Sequence, residues 1–259
     1  MPPRAASHPA PSADQRWSSA DLAQSPHSDA QKADKVRAMF GAIAGRYDLN
    51  NRLHSFGRDQ AWRRRAVRAA SVRPGDAVLD MACGTGDLTL LLARTTEAAR
   101  VVGGDFTPEM LDVARVKNTH ERIEYVHADA MALPFEDSEF DALTIAFGIR
   151  NVTDPAQALA EFRRVLRPGG RVVILEFATP KSRLVRAGNI LYTKHVMPLT
   201  AGLIARDRTG AYRYLPRSIE TFLQPPAMME AMAKAGFTDI TATPMTFGVC
   251  VCYRGVTPG

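Results

Sequence analysis

Apolar and polar positions follow two alternating rhythms between residues 77 and 177. Short runs rich in Val, Leu and Ile predict strands over 77–82, 100–105, 123–127, 140–146 and 171–177. Between them, apolar residues recur at helical spacing over 87–94, 108–117 and 155–166. Arg73-Pro74-Gly75-Asp76 and Arg167-Pro168-Gly169-Gly170 are turns that deliver the chain into the first and fifth strands, and 129–134 is a loop. Alternation of this kind predicts a doubly wound α/β domain, a parallel sheet with helices on both faces.

Upstream, Asp34 to Phe40 and then Ile43, Tyr47, Asn50 and Leu53 fall at helix-like spacing. With a second helix over 60–70, they predict an N-terminal helical lid over 31–72. A mostly helical insert is expected over 184–233, followed by two closing strands over 236–240 and 246–253. Residues 1–30 are dominated by Pro, Ala and Ser without apolar periodicity and are expected to form a disordered tail. The expected organisation is one α/β domain over 31–259 with seven mostly parallel strands.

Composition narrows the class only slightly. The 259 residues are 46% hydrophobic and 23% charged, ordinary for a soluble globular chain. A net charge of +6 suggests an anionic contact such as a membrane surface or nucleic acid, although an arginine-rich proteome produces the same balance. No aromatic-rich single-strand platform is present, so nucleic acid is not expected as a partner. No apolar run approaches the roughly 18 residues needed to span a bilayer. The N-terminus lacks the apolar core of a secretory signal. Three cysteines, one of them Cys83 beside a glycine turn, argue against a disulfide framework. No His/Cys cluster has zinc spacing, so a reduced, metal-free, cytoplasmic protein is expected.

The chemistry concentrates in Val78-Leu79-Asp80-Met81-Ala82-Cys83-Gly84-Thr85-Gly86-Asp87. A strand ends, a glycine turn follows, and a helix begins, so backbone N–H groups can meet a ligand at a helix N-terminus. Gly84 and Gly86 supply a G-x-G. Position 89, where a dinucleotide fold places its third glycine, is Thr89, which weakens a dehydrogenase reading. Asp80, four residues before Gly84, fits instead the D-x-x-x-G-x-G pattern of enzymes that use S-adenosylmethionine. In that reading Gly84, Thr85 and Gly86 wrap the amino-acid part of the methyl donor. Asp105 ends the second strand about twenty residues later, where a carboxylate takes ribose hydroxyls. Asp129 and Ala130, after the third strand, suit the adenine. The fold class is therefore expected to be Rossmann-like, the class I S-adenosylmethionine-dependent methyltransferase fold.

The fourth strand ends in Ala146-Phe147-Gly148-Ile149-Arg150-Asn151. It carries neither the Asn-Pro-Pro-Tyr of base amino-methylases nor the Pro-Cys of pyrimidine-carbon methylases. With Met39-Phe40, Tyr47-Asp48, Leu133-Pro134-Phe135, Leu166-Arg167-Pro168-Gly169-Gly170, Leu175-Glu176-Phe177 and Tyr212-Arg213-Tyr214-Leu215, this block resembles the UbiE/MenG quinone C-methyltransferases over about residues 33–255.

The resemblance implies methylation of a ring carbon on a prenylated hydroquinone, demethylmenaquinol first and a methoxy-polyprenyl-benzoquinol of ubiquinone synthesis as the alternative. It places S-adenosylmethionine contacts at Thr85, Asp105, Asp129 and Ala130. Where many members have Ser before Phe-Gly, this chain has Ala146, so that position is expected to contribute backbone only. Arg150 is the expected stabiliser of the developing phenolate, Asn151 the holder of a quinol oxygen or of the arginine, and Tyr47 a lid over the ring.

The stretch 190–199, with Tyr192 and His195, is expected to line a prenyl tunnel, rest on a membrane interface or form ordinary core. Arg63-Arg64-Arg65 is a candidate contact for anionic lipid. Two further functions stay open at this point: another small-molecule or RNA methyltransferase, and a scaffold in a quinone-synthesis assembly. The oligomeric state also stays open, a homodimer included.

Overall fold

The computed structural model describes residues 16–118, 120–192 and 210–259. Strands β1 (Ala77–Met81), β2 (Arg100–Asp105), β3 (Ile123–His127), β4 (Phe140–Ala146), β5 (Leu166–Phe177), β6 (Thr238–Met245) and β7 (Cys250–Val256) form one sheet, ordered β3-β2-β1-β4-β5-β7-β6. All neighbours are parallel except β5–β7 and β6–β7. Strand order reverses between β1 and β4, and that opens a crevice beyond their carboxyl ends. The fifth strand is longer than expected. Its first residues, Leu166 to Gly170, pair irregularly beside β4, with Gly169 at φ +72° turning the chain.

Period-two alternation sends side chains to two separate cores. Leu79, Met81, Leu143, Ile145, Val172 and Ile174 face a core completed by Phe162, Met228 and Met232. Val78, Ala142, Val173 and Leu175 face the other, completed by Trp62, Leu88 and Leu92. The helices are α1 (Ser19–Ala23), α2 (Lys32–Ile43), α3 (Tyr47–His54), α4 (Arg58–Ala70), α5 (Asp87–Thr95), α6 (Pro108–Lys117), α7 (Pro155–Val165), α8 (Arg183–Leu191), α9 (Ala211–Thr221) and α10 (Pro225–Lys234). Of these, α4, α5, α7 and α10 close the two cores, and α1, α2 and α9 pack around a third built on Trp17, Met39 and Tyr214.

The expectation of a disordered tail fails from residue 16 onward; residues 1–15 lie outside the described residues. Ser18 and Asp21 form a reciprocal capping box that starts α1. Trp17 is buried and stacks on Tyr214 of α9, with ring centroids 4.5 Å apart. Lys35 Nζ reaches Asp21 at 3.1 Å and Asp29 at 2.7 Å, and sits over the Trp17 ring. His27 Nε2 meets the Ser218 carbonyl at 2.9 Å, and Lys32 Nζ donates to the Val152 carbonyl at 2.5 Å. Composition missed this because one buried aromatic and a few charged partners anchor an otherwise polar segment.

Candidate active site

At the crevice the chain makes two cavities with a common wall. The first lies beyond β1, β2 and β4 and is lined by Gly84, Asp105, Phe106, Asp129, Ala130, Met131, Ala146 and Asn151, among others. The second lies under α3 and α9 and is lined by Asn50, Trp62, Arg150, Phe177, Tyr192 and Tyr214, among others. Phe40, Tyr47 and Phe147 line both. Tyr47 stands edge-on to Phe40, with centroids 5.9 Å apart. Burial raises the Tyr47 hydroxyl above its ordinary pKa, so it stays protonated at neutral pH.

Asp105 organises the first cavity. Its Oδ2 accepts from the Gly84 N–H at 2.7 Å, and its Oδ1 from the Thr107 N–H at 2.8 Å. Burial raises its pKa against these bonds. Thr107, at the N-cap of α6, makes no side-chain cap bond. Gly84 sits at φ +57°, and a β-carbon there would point at the Tyr47 ring across the cavity. Asp129 Oδ1 accepts from Met131 N–H at 2.9 Å, and Ala130 is buried beside it. Phe106 and Met131 went unnoticed in the sequence, since one apolar residue after a strand carries no pattern.

Three expected donor contacts are placed elsewhere. Asp80 shares the Val78 face of β1, directed into the core rather than off the strand end, and accepts from Thr89 Oγ1 at 2.6 Å and Thr144 Oγ1 at 2.7 Å. Thr85 is buried outside the cavity lining, and its hydroxyl donates to Asp48 Oδ1 of α3 at 2.5 Å. Gly86, at φ +81°, caps α5 beneath Tyr125, whose hydroxyl would lie 2.4 Å from a β-carbon there.

Burial pushes the Asp80 pKa up to about 6 from 3.8, against the two threonine hydroxyls. A folded-state pKa above the unfolded one contributes stability that is fully present below pH 3.8 and lost as pH rises through about 6. Urea unfolding across that window should show this slope in the parent and lose it in Asp80→Asn.

Arg150 and Asn151 are held by the loop that follows β4. Phe147 adopts φ +59°, and its carbonyl accepts from Arg150 Nη1 at 2.7 Å and Asn151 Nδ2 at 3.2 Å. Gly148 is required next to it, because a β-carbon there would lie 2.5 Å from that of Ala82. Arg150 also pairs with Glu176 Oε1 at the end of β5, at 2.7 Å, with both side chains buried. Its Nε is buried without a protein partner, and its guanidinium lies over the Phe177 ring. The Arg150 guanidinium, expected from sequence to stabilise a developing phenolate, is half of an ion pair and lines the second cavity. The Asn151 Oδ1 accepts from Tyr214 at 2.9 Å, so that side chain ties the loop to α9 while lining the first cavity.

Within the basic run, Arg63 is buried against Asp59 at 2.5 Å and Arg65 meets Thr243 at 3.4 Å, while Arg64 is exposed. Tyr192 lines the second cavity and contacts His54, whereas His195 lies outside the described residues.

Residues 28–257 match the ubiE/COQ5 methyltransferase family. The chain belongs to that family. A relative from Thermus thermophilus named demethylmenaquinone methyltransferase is 49% identical over 85% of this chain and all of its own length. A Geobacter sulfurreducens relative named ubiquinone/menaquinone biosynthesis C-methyltransferase UbiE is 45% identical over 87% of this chain and 89% of its own. Among solved structures, the Haemonchus contortus phosphoethanolamine N-methyltransferase 2 in complex with S-adenosyl-L-methionine superposes with a TM-score of 0.57. It is 19% identical over 74% of this chain and 51% of its own, a likeness that shows the fold: the class I methyltransferase sheet. In this ubiE/COQ5 member, the block from Phe147 to Asn151 forms the floor on which both cavities meet.

Proposed function

We propose that this chain transfers a methyl group from S-adenosylmethionine to a ring carbon of a prenylated hydroquinone, demethylmenaquinol first. The observation that carries the reading is the pair of adjoining cavities that share Phe40, Tyr47 and Phe147 as lining. One is rimmed by carboxylates and a glycine turn; the other is aromatic, with the guanidinium groups of Arg63 and Arg150 in its lining.

The first cavity fits the methyl donor. Asp105 is buried yet lines it, Gly84 leaves its floor open, and Phe106 and Met131 offer apolar surface to a flat base. Asp105 suits the ribose, and Asp129 with Ala130 the adenine. When bound, S-adenosylmethionine supplies a methyl made electrophilic by its sulfonium.

The protein's own work is in the second cavity. Trp62, Phe147 and Phe177 meet ring to ring there and hold an aromatic head group in line with the partition. The Arg150 guanidinium carries hydrogen-bond donors and no acceptor, and so acts on the quinol as a charge rather than a base. It stabilises the oxygen whose ionisation pushes electron density to the adjacent ring carbon. That carbon would form the new bond to methyl as the methyl–sulfur bond breaks and S-adenosylhomocysteine leaves, and it then releases its ring proton to solvent, restoring aromaticity. Holding two reactants in near-attack geometry is the largest contribution, about 7–11 kcal/mol.

The test is transfer of labelled methyl into an organic-extractable demethylmenaquinol, with a benzoquinol and RNA in parallel. Label in RNA alone would refute the reading. The name of the Geobacter relative supports the benzoquinol as a second acceptor.

A membrane surface is the proposed source of the quinol. Among the described residues no helix is long and apolar enough to cross a bilayer. Leu53, Phe56, Leu184 and Leu191 are nonetheless exposed on α3, α8 and their flanks, and Phe56 touches Tyr192 of the second cavity. Exposed Arg52, Arg58 and Arg183 lie beside them in the chain, which suits anionic headgroups. The parent should float with anionic vesicles, and a Phe56→Ser, Leu191→Ser double variant should stay at the bottom of the gradient. Equal flotation of the two would remove this face from consideration.

A further inference from the structure

Asn50 was given no role among the expected site residues, yet it is among the most unusual side chains in the second cavity. It is 4% exposed, and both its Oδ1 and its Nδ2 are buried without a partner among the described residues. Buried amides are nearly always hydrogen-bonded, because an unpaired one forfeits its bonds to water. Asn50 sits one turn along α3 from Tyr47 and one turn before His54, and all three line the cavity. Met39, Ile43 and Trp62 supply apolar wall to the same cavity, which makes an idle amide there costlier.

We infer that Asn50 clamps one ring hydroxyl of the quinol. An amide carries a donor and an acceptor, and a phenolic hydroxyl is both acceptor and donor, so the two satisfy each other in both directions. A methyl ether at that oxygen can only accept and leaves the amide oxygen unpaired. Asn50 therefore selects the free hydroquinone over its ring-oxygen ethers, while Arg150 acts on the charge that develops later. A site built to hydrogen-bond a hydroxyl rejects analogues lacking it far more strongly than an apolar pocket rejects a size change. The inference rests on the quinol reading of the second cavity.

The test compares the parent with Asn50→Leu. Initial rates are taken on the prenylated quinol and its two monomethyl ethers, and equilibrium binding of naphthohydroquinone and its monomethyl ether is followed by Trp62 fluorescence. Asn50→Leu should lower kcat/KM on the free quinol about tenfold or more, chiefly through KM, and lose the preference over one monomethyl ether by the same factor. Affinity for S-adenosylmethionine should hold, and Tm should stay or rise, since an unpaired polar group has been removed.

An undiminished preference in Asn50→Leu overturns the inference. So does a parallel fall in Tm and in methyl-donor affinity, which would make Asn50 structural. If the parent methylates no quinol but binds naphthohydroquinone in an Asn50-dependent way, the catalytic reading fails and the clamp stands. If it binds none, both fail.

Discussion

Arg150→Ala should lose about 10²–10³ in kcat, the usual cost of removing one preorganised donor from a developing oxyanion. Affinity for S-adenosylmethionine should scarcely change, because Arg150 faces the second cavity and not the first. The variant carries a structural penalty as well. Glu176 is left buried without its partner, and breaking such a pair costs about 3–5 kcal/mol.

The two effects separate in the double variant Arg150→Ala, Glu176→Gln. Removing the orphaned charge should restore most of the stability, whereas turnover should stay low. Initial rates on the quinol, calorimetric binding of the methyl donor and urea unfolding together decide it. Turnover that recovers along with stability would reduce Arg150 to a structural cation.

Trp17→Ala should cost about 3–5 kcal/mol, the range for removing a large buried aromatic. Trp17 is 1% exposed, and Tyr214 and Lys35 both rest on its ring. The loss should reach the site, because Tyr214 donates to Asn151, which in turn holds the Phe147 carbonyl. A lower kcat is therefore expected beside the lower unfolding free energy. Trp17→Phe keeps a ring against Tyr214 and removes an indole N–H that has no partner, so it should cost less than about 1.5 kcal/mol. Unfolding of Trp17→Ala indistinguishable from the parent would mean that residues 16–30 contribute nothing to the fold.

Much of the architecture was legible in the chain. Period-two runs ending in Asp105 and Ala146, and helical runs between them, arise from burial on a sheet face, which local alternation reports directly. The expected strand over 100–105 and helix over 108–117 coincide with β2 and α6. The closing strands were placed a few residues too early, because Thr246 to Gly248 turn between β6 and β7 and interrupt the pattern. The lining of the first cavity was legible where residues end or follow a strand, as Asp105, Asp129 and Ala130 do. It was illegible where chemistry depends on partners far along the chain.

Local patterning, then, determined the sheet, the glycine turn, and which strand ends face the crevice, because those depend on neighbours a few residues apart. Folding decided the rest. It turned Asp80 into the core onto Thr144, drew Thr85 to Asp48, paired Arg150 with Glu176, fastened Trp17 onto Tyr214 and left Asn50 unpaired inside an aromatic cavity. Each of those outcomes is a hydrogen bond, ion pair, ring contact or absence of one set by residues distant in sequence, and no periodicity encodes which side chains meet.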